Sequence, residues 1–299
     1  TVYEKKNVDY ADNFYMTPEQ QVDAEAKYWD YYFFHNDGEV ADPIGTTAQS
    51  ISMGTQAVTP IEYAYYQRAK GEISEEELQN QLASFKKNNY AKEYADAVYK
   101  QRVMQQYNLS LRGRSDKFTN NLTINYKYDN SGLINHFANQ FNAQYKGSYN
   151  VAKWLTASMT INGIYSKSKE VGYDNNSYYS DIWKQPAYMS FYNADGSVKG
   201  QHYWYDGNDY MTFDSPFEDL SSNPVDEYYN NTQVTRRQYM RYHGDLLFKI
   251  IDGLTANAQF VYETNHNTVE WNATQDSHVM RTMRNAYYYQ SADGTIKNY

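Results

Sequence analysis

The sequence predicts an all-β fold: an antiparallel transmembrane β-barrel segment of about six to seven strands, with long, partly helical extracellular loops. Three observations carry that expectation. Apolar and polar residues alternate with period two through successive stretches after Met104, as in strands with one apolar and one polar face. The connections between those stretches are tight and long by turns. The aromatic content is dominated by tyrosine, with 35 Tyr beside 12 Phe and 5 Trp in 299 residues. With a mean hydropathy of -0.90, little Leu, Ile and Val is left for a conventional core.

Residues 1–103 read as the end of a strand followed by a large, mainly helical extracellular loop. In "TPEQQVDAEAKYWDYYFF", Thr17 is a helix N-cap, Pro18 takes the first helical position, and Gln20 completes a capping box. "TPIEYAYYQRAKG" repeats the arrangement with Thr59, Pro60 and Glu62 and stops at Gly71. "SEEELQNQLASFKK" starts at Ser74 with Glu77 at the box position. Three helices are expected.

Residues 104–166 read as four barrel strands. Tyr107, Leu109, Leu111 and Gly113 oppose Asn108, Ser110 and Arg112; in "FTNNLTINYKYDNSG", Leu122, Ile124, Tyr126 and Tyr128 oppose Thr119, Asn121, Thr123, Asn125 and Lys127. The next two strands set Phe141, Ala143, Tyr145 and Tyr149 against Asn142, Gln144, Lys146 and Ser148, then Ala157, Met159, Ile161 and Tyr165 against Ser158, Thr160 and Asn162. A long, aromatic-rich extracellular loop is expected over 167–235. A barrel hairpin follows at 236–265, where Met240, Tyr242, Leu246 and Phe248 oppose Arg241, His243 and Asp245. Residues 266–299 are expected to form a further extracellular loop.

Tight turns at 114–117, 152–153 and 252–253 fall at one end of these strands, and the long connections fall at the other. Transmembrane barrels have that asymmetry, with an apolar exterior, a polar interior and aromatic rows at both interfaces. A soluble sandwich with one wet face also alternates. It distributes long loops to both ends, and its buried face carries fewer tyrosines, since each hydroxyl needs a partner.

The net charge of -9 and the lack of a Lys/Arg cluster exclude nucleic acid as the main partner. Without cysteine there is no disulfide scaffold, thiolate metal site or cysteine nucleophile. The sequence has no apolar run of about 18 residues, so no transmembrane helix is expected. Thr1 opens the chain without a start methionine or leader, so the chain is expected to be processed or a piece of something longer.

The stretch "AKEYADAVYKQRVMQQYNLSLRGRSDKFTNNLTINYKYDNSGLI" resembles the SusC-like group of TonB-dependent outer-membrane transporters, just beyond their plug domain. Tyr94, Asp96, Gln106, Asn108, Leu109, Ser110, Gly113, Ser115, Asp116 and Lys117 occupy matching positions; Arg114 departs, replacing a usual glycine. "FNAQYKGSYNVAKWLTASMTINGIYSKSK" resembles the next family hairpin. The resemblance implies a section of a larger, ~22-stranded barrel, with the plug domain and remaining strands absent. It further implies import across the outer membrane of a Gram-negative bacterium, energised by the TonB complex through the absent N-terminal part and capped by a SusD-like lipoprotein. Oligosaccharide is the expected cargo, with oligopeptide as the alternative in the same family. A secreted β-rich glycan-binding protein or glycoside hydrolase is the alternative from another class.

The expected ligand surface is the long loop, where Trp183, Tyr188, Tyr203, Trp204 and Tyr205 accompany Asp206, Asn208 and Asp209. Aromatics that stack on sugar faces beside hydroxyl-binding carboxylates suit a glycan; the same mixture suits a lid contact or the loop's own packing. Thr119, Asn121, Thr123, Asn125, Lys127, Arg241, His243 and Asp245 are expected to face the lumen. "ADGSVKG" and "ADGTIKN" read as Asp-Gly turns rather than calcium loops. His266, Glu270 and His278 match no metal-binding spacing. The sequence favours no catalytic pair, so neither enzyme activity nor a cofactor is expected.

Overall fold

The computed structural model describes residues 2–4, 8–53, 58–172, 183, 185–200, 221, 223–291 and 295–298. The chain forms two compact units. One is a sheet, made of Thr1–Lys5, Lys100–Val171 and Thr232–Trp271; the other is mainly helical, made of Lys6–Tyr99, Gly172–Asn231 and Asn272–Tyr299.

The sheet unit has seven antiparallel strands in sequence order: β1 (Val2–Glu4), β2 (Arg102–Arg114), β3 (Phe118–Asp129), β4 (Phe137–Ala152), β5 (Leu155–Val171), β6 (Asn231–Ile251) and β7 (Leu254–Ala273). It is an open sheet: β1 and β7 are its edges, so these strands do not close a barrel among themselves. Register partners confirm the alternation. Leu111, Leu122, Tyr145 and Ile161 lie side by side on one face, and Ser110, Thr123, Gln144 and Asn162 on the other. Only the strand ends were misplaced by pattern. β5 runs on to Val171, β6 starts at Asn231, and β7 continues to Ala273. Polar ends such as "SKSKE" keep their ladder bonds although the apolar alternation has stopped.

No second layer covers the apolar face among the described residues. Among the described apolar side chains of the strand unit only Ile134, in the β3–β4 connection, is buried. Leu109 stays 50% exposed and Phe260 67%. Aromatic residues bracket this face. At the tight-turn end Phe118 is the register partner of Tyr149, and Trp154 stacks on Phe248 at 6.3 Å. At the other end Tyr107 stacks on Tyr126 at 6.5 Å, and Phe141 pairs with Tyr165. Between them Tyr145 lies across Gly147 to donate to Asn120 Oδ1 at 2.7 Å. A Cβ on Gly147 would sit 2.6 Å from that hydroxyl, so the hydrogen bond requires glycine there.

The helical unit begins with α1 (Pro18–Asp30), which runs into a π-helical turn (Tyr31–His35). It continues with α2 (Pro43–Met53), α3 (Pro60–Lys70), α4 (Glu75–Phe85) and α5 (Tyr90–Val98). Further along come α6 (Pro224–Asn230), α7 (His278–Ala286) and the hairpin of β8 (Tyr288–Gln290) with β9 (Ile296–Asn298). The capping boxes at Thr17 and Ser74 form as expected, and Gly71 ends α3 with φ 76°. At α3, Thr59 caps the Glu62 amide, and the buried Glu62 carboxylate accepts from the Thr47 hydroxyl at 3.3 Å. α2, α5, α6 and α7 were not expected. α2 is short, rich in small and β-branched residues and contains Gly45, so its local propensity is weak and tertiary packing decides it.

Val22, Ile61, Ala64, Tyr65, Leu78 and Leu82 make the core of α1, α3 and α4. Ile51, Val58 and Tyr66 add a smaller cluster.

Candidate functional site

The polar face of the sheet is a continuous hydrogen-bonding surface. Strand alternation and register put Thr119, Asn121, Thr123, Asn125 and Lys127 of β3 beside Ser148, Lys146, Gln144, Asn142 and Gln140 of β4. Across β5 and β6, Asn162, Thr160 and Ser158 lie beside Arg241, His243 and Asp245. All eight residues expected to face the lumen therefore share one face. They are linked rather than isolated. Asn125 donates to Asn108 Oδ1 and accepts from Asn142 Nδ2 at 3.1 Å, and Asn142 Oδ1 accepts from Gln140 at 2.8 Å. Gln144 donates to Asn162 at 2.6 Å. Nearer β7, Arg241 pairs with Glu263 at 3.1 Å, and Gln259 donates to Asp245 at 3.2 Å.

An amide offers two donors and two acceptor lone pairs, so a chain of amides keeps both kinds of group free after bonding its neighbours. Asn121 Oδ1 is buried and accepts no hydrogen bond among the described residues. Such a face can exchange hydrogen bonds with a passing chain of hydroxyls or peptide groups. Among the described residues no group of three His, Cys, Asp or Glu side chains is placed to hold a metal. Glu270 instead pairs with Arg236, His266 Nε2 meets Thr268 Oγ1 at 3.1 Å, and the His278 amide donates to Glu227.

The residues expected on the ligand loop divide three ways. Tyr203, Trp204, Tyr205, Asp206, Asn208 and Asp209 lie outside the described residues. Trp183 stacks on Tyr15 at 5.0 Å, nearly parallel, and meets Tyr10 edge-on at 5.4 Å. Tyr188 corrects the expectation: it is wholly buried in the helical core, not on a surface open to ligand. Its hydroxyl donates to Glu25 Oε2 at 2.6 Å, and its carbonyl accepts from Asn88 at 2.9 Å. An aromatic with a buried hydrogen-bond partner is favoured inside, and its sequence neighbourhood does not show that partner.

Glu25 is the hub of that interior. It accepts from Gln21, Thr59 and Tyr188, yet burial still pushes its carboxyl above the ordinary range. Glu62 behaves similarly: burial raises it from 4.5 to about 7, against the opposing hydrogen bonds from the Thr47 hydroxyl and the Thr59 backbone amide, with nearby Glu25 adding repulsion.

Sequence reading missed an exposed aromatic surface on the helical unit. Tyr28, Tyr31 and Phe34 project outward; Tyr28 stacks on Tyr32 at 6.2 Å, and Arg68 lies 5.8 Å over Phe34. The signal was present in "KYWDYYFF", because a helix cannot turn six aromatics spread over seven successive positions to one core. Phe14 is fully exposed and holds φ at 63°, a conformation bulky residues rarely adopt. The "ADGSVKG" segment is a turn as expected: Asn193 N donates to Ser197 O at 2.8 Å, Gly196 has φ 84°, and Asp195 bonds Ser197.

No family model and no curated protein matches this chain. Solved structures do. A structure of the RagAB peptide transporter is similar over 88% of this chain and 27% of its own, with a TM-score of 0.52 and 14% identity. The RagAB peptide importer in its closed-closed state is similar over 93% of this chain and 28% of its own (TM-score 0.55, 14% identity). Its open-open state is similar over 90% and 27% (TM-score 0.55, 14% identity). The chain thus spans about a quarter of the length of the structures it matches, and at that identity the likeness shows the fold.

Proposed function

We propose that this chain is wall and loop of a nutrient importer in the outer membrane of a Gram-negative bacterium. The apolar face meets lipid, and the amide-rich face lines the aqueous passage. One observation carries the reading: an uncovered apolar face, bracketed by aromatic rows, backs a continuous polar ladder on a sheet with tight turns at one end. In lipid every backbone polar group needs an internal partner, which a closed barrel supplies. Closure by further strands, to about 22, is part of the proposal, as are a SusD-like lipoprotein lid and TonB coupling. The SusC-like sequence resemblance and the fold likeness to RagAB support them.

The protein moves its cargo without covalent change. Oligosaccharide is the cargo we favour, because the 203–209 segment combines tyrosine and tryptophan with carboxylates and an amide. A second reading has its own support: the structures it resembles are described as peptide importers, and an amide ladder matches peptide groups as well as hydroxyls.

Deleting the gene and measuring uptake of labelled oligosaccharides and oligopeptides separates the two. Loss of glycan uptake alone supports the first, and loss of peptide uptake alone establishes the second. Unchanged uptake of both, or a chain monodisperse without detergent, defeats the importer reading.

A further inference from the structure

The apolar face changes character one residue row beyond its loop-end aromatics. Tyr126, Phe141 and Tyr165 are followed, toward the long connections, by Tyr128, Asn139, Lys167 and Arg236, register partners in turn across β3 to β6. The next row holds Phe137, Lys169 and Val234. Lys167 Nζ lies 5.8 Å from the Phe137 ring centroid, Lys169 Nζ donates to Asn135 Oδ1 at 2.8 Å, and Arg236 pairs with Glu270 of β7. Among the described residues three cations therefore meet one carboxylate, in a chain whose net charge is -9. The nearby Glu170 belongs to the opposite face, where Gln233 donates to it at 3.2 Å.

The position gives the charge its meaning. A tyrosine row on a lipid-facing surface marks the interface, and lysine and arginine just beyond it reach headgroup depth while their stems stay on apolar neighbours. Lys167 sits one row beyond Tyr165 with its ammonium over the Phe137 ring. Ammonium and guanidinium groups make charge-assisted hydrogen bonds to phosphate oxygens, and clustered basic residues beside a membrane bind anionic headgroups. A solvated strand end would need no such excess of one sign.

We propose that Lys167, Lys169 and Arg236 bind the phosphate groups of a phosphorylated glycolipid in the outer leaflet, in competition with the Glu270 carboxylate for Arg236. The inference rests on the reading that the apolar face meets lipid. It adds a headgroup site that fixes the height of β5 and β6 in the membrane.

The test titrates the full-length protein, delipidated in non-ionic detergent, with bisphosphorylated lipid A and with the same lipid stripped of phosphate. At about fivefold per basic side chain, the K167Q/K169Q double variant should bind the phosphorylated lipid about 25-fold more weakly than wild type. E270Q removes the competing anion and should bind about fivefold more tightly, a gain that misfolding cannot imitate. Affinity should fall with salt, and the stripped lipid should not distinguish wild type from K167Q/K169Q. Equal affinity of wild type and the double variant for the phosphorylated lipid would overturn the proposal. So would indifference to the phosphates, or displacement by inorganic phosphate at concentrations comparable to the lipid. Vesicle insertion is scored separately. A protein that inserts but shows no phosphate preference loses the headgroup site alone; one that never inserts loses the membrane reading as well.

Discussion

Leu122 and Thr123 are adjacent in β3 and face opposite ways, so the same substitution at each should have opposite consequences. Phe118 and Tyr126 mark the aromatic rows and lie eight residues apart on β3. That separation is about 27 Å along a strand, or about 21 Å across the membrane at a tilt of about 40°, close to the height of a barrel's apolar band. Leu122 is midway, between Leu111 and Tyr145. With the apolar face against lipid, as proposed, Leu122→Arg places a guanidinium near the bilayer midplane, at a cost of about 2–4 kcal/mol. Thr123→Arg adds the same group beside Ser110 and Gln144 on the polar face and should stay within about 0.5 kcal/mol of wild type. A third variant separates lipid from a packed interior. Leu122→Trp should be near neutral against fluid acyl chains, whereas overpacking a protein core costs about 1–3 kcal/mol. Urea titration of the full-length protein in phospholipid vesicles, followed by tryptophan fluorescence, measures all three. The reasoning is refuted if Thr123→Arg costs as much as Leu122→Arg, or if Leu122→Trp is as costly as overpacking, since a second protein layer would then cover this face.

Three further outcomes follow from the described contacts. Folding raises the Glu62 carboxyl from 4.5 to about 7, so its stabilising contribution is complete below pH 4.5 and is lost as the pH rises through about 7. Denaturant midpoints of the helical unit should therefore be higher at pH 5 than at pH 8, and Glu62→Gln should flatten that difference, worth about 3 kcal/mol. Tyr188→Phe removes a 2.6 Å hydrogen bond to Glu25 and should destabilise the helical unit by about 1–3 kcal/mol in a urea melt. A cost appearing only in ligand affinity would place Tyr188 on a binding surface instead. Gly147→Ala should cost about 1 kcal/mol by pushing Tyr145 off Asn120, and the cost should shrink in a Tyr145→Phe background, as a double-mutant cycle can show.

Much of the strand arrangement could be read from sequence because the period of a strand is two and leaves no freedom once one face is chosen. The eight polar residues assigned to one side, from Thr119 to Asp245, share that side because each register pairing preserves it. The helix starts at Thr17 and Ser74 were equally legible, since a capping box is local chemistry within four residues. Boundaries were less so. The polar ends of β5 and β6 belong to the sheet only through ladder bonds to each other, and no side-chain pattern records those bonds.

The candidate site divides along the same line. By itself the sequence determined which strand residues share a face, where the tight turns fall and that no cysteine chemistry operates, because these depend on local period and composition. Tertiary structure alone decided that Tyr188 is core, that the Glu62 carboxylate meets Thr47, and that Lys167, Lys169 and Arg236 gather beyond the tyrosine row. Each of those depends on partners 15 to 163 residues away along the chain, brought together only when the sheet and the helical unit have formed.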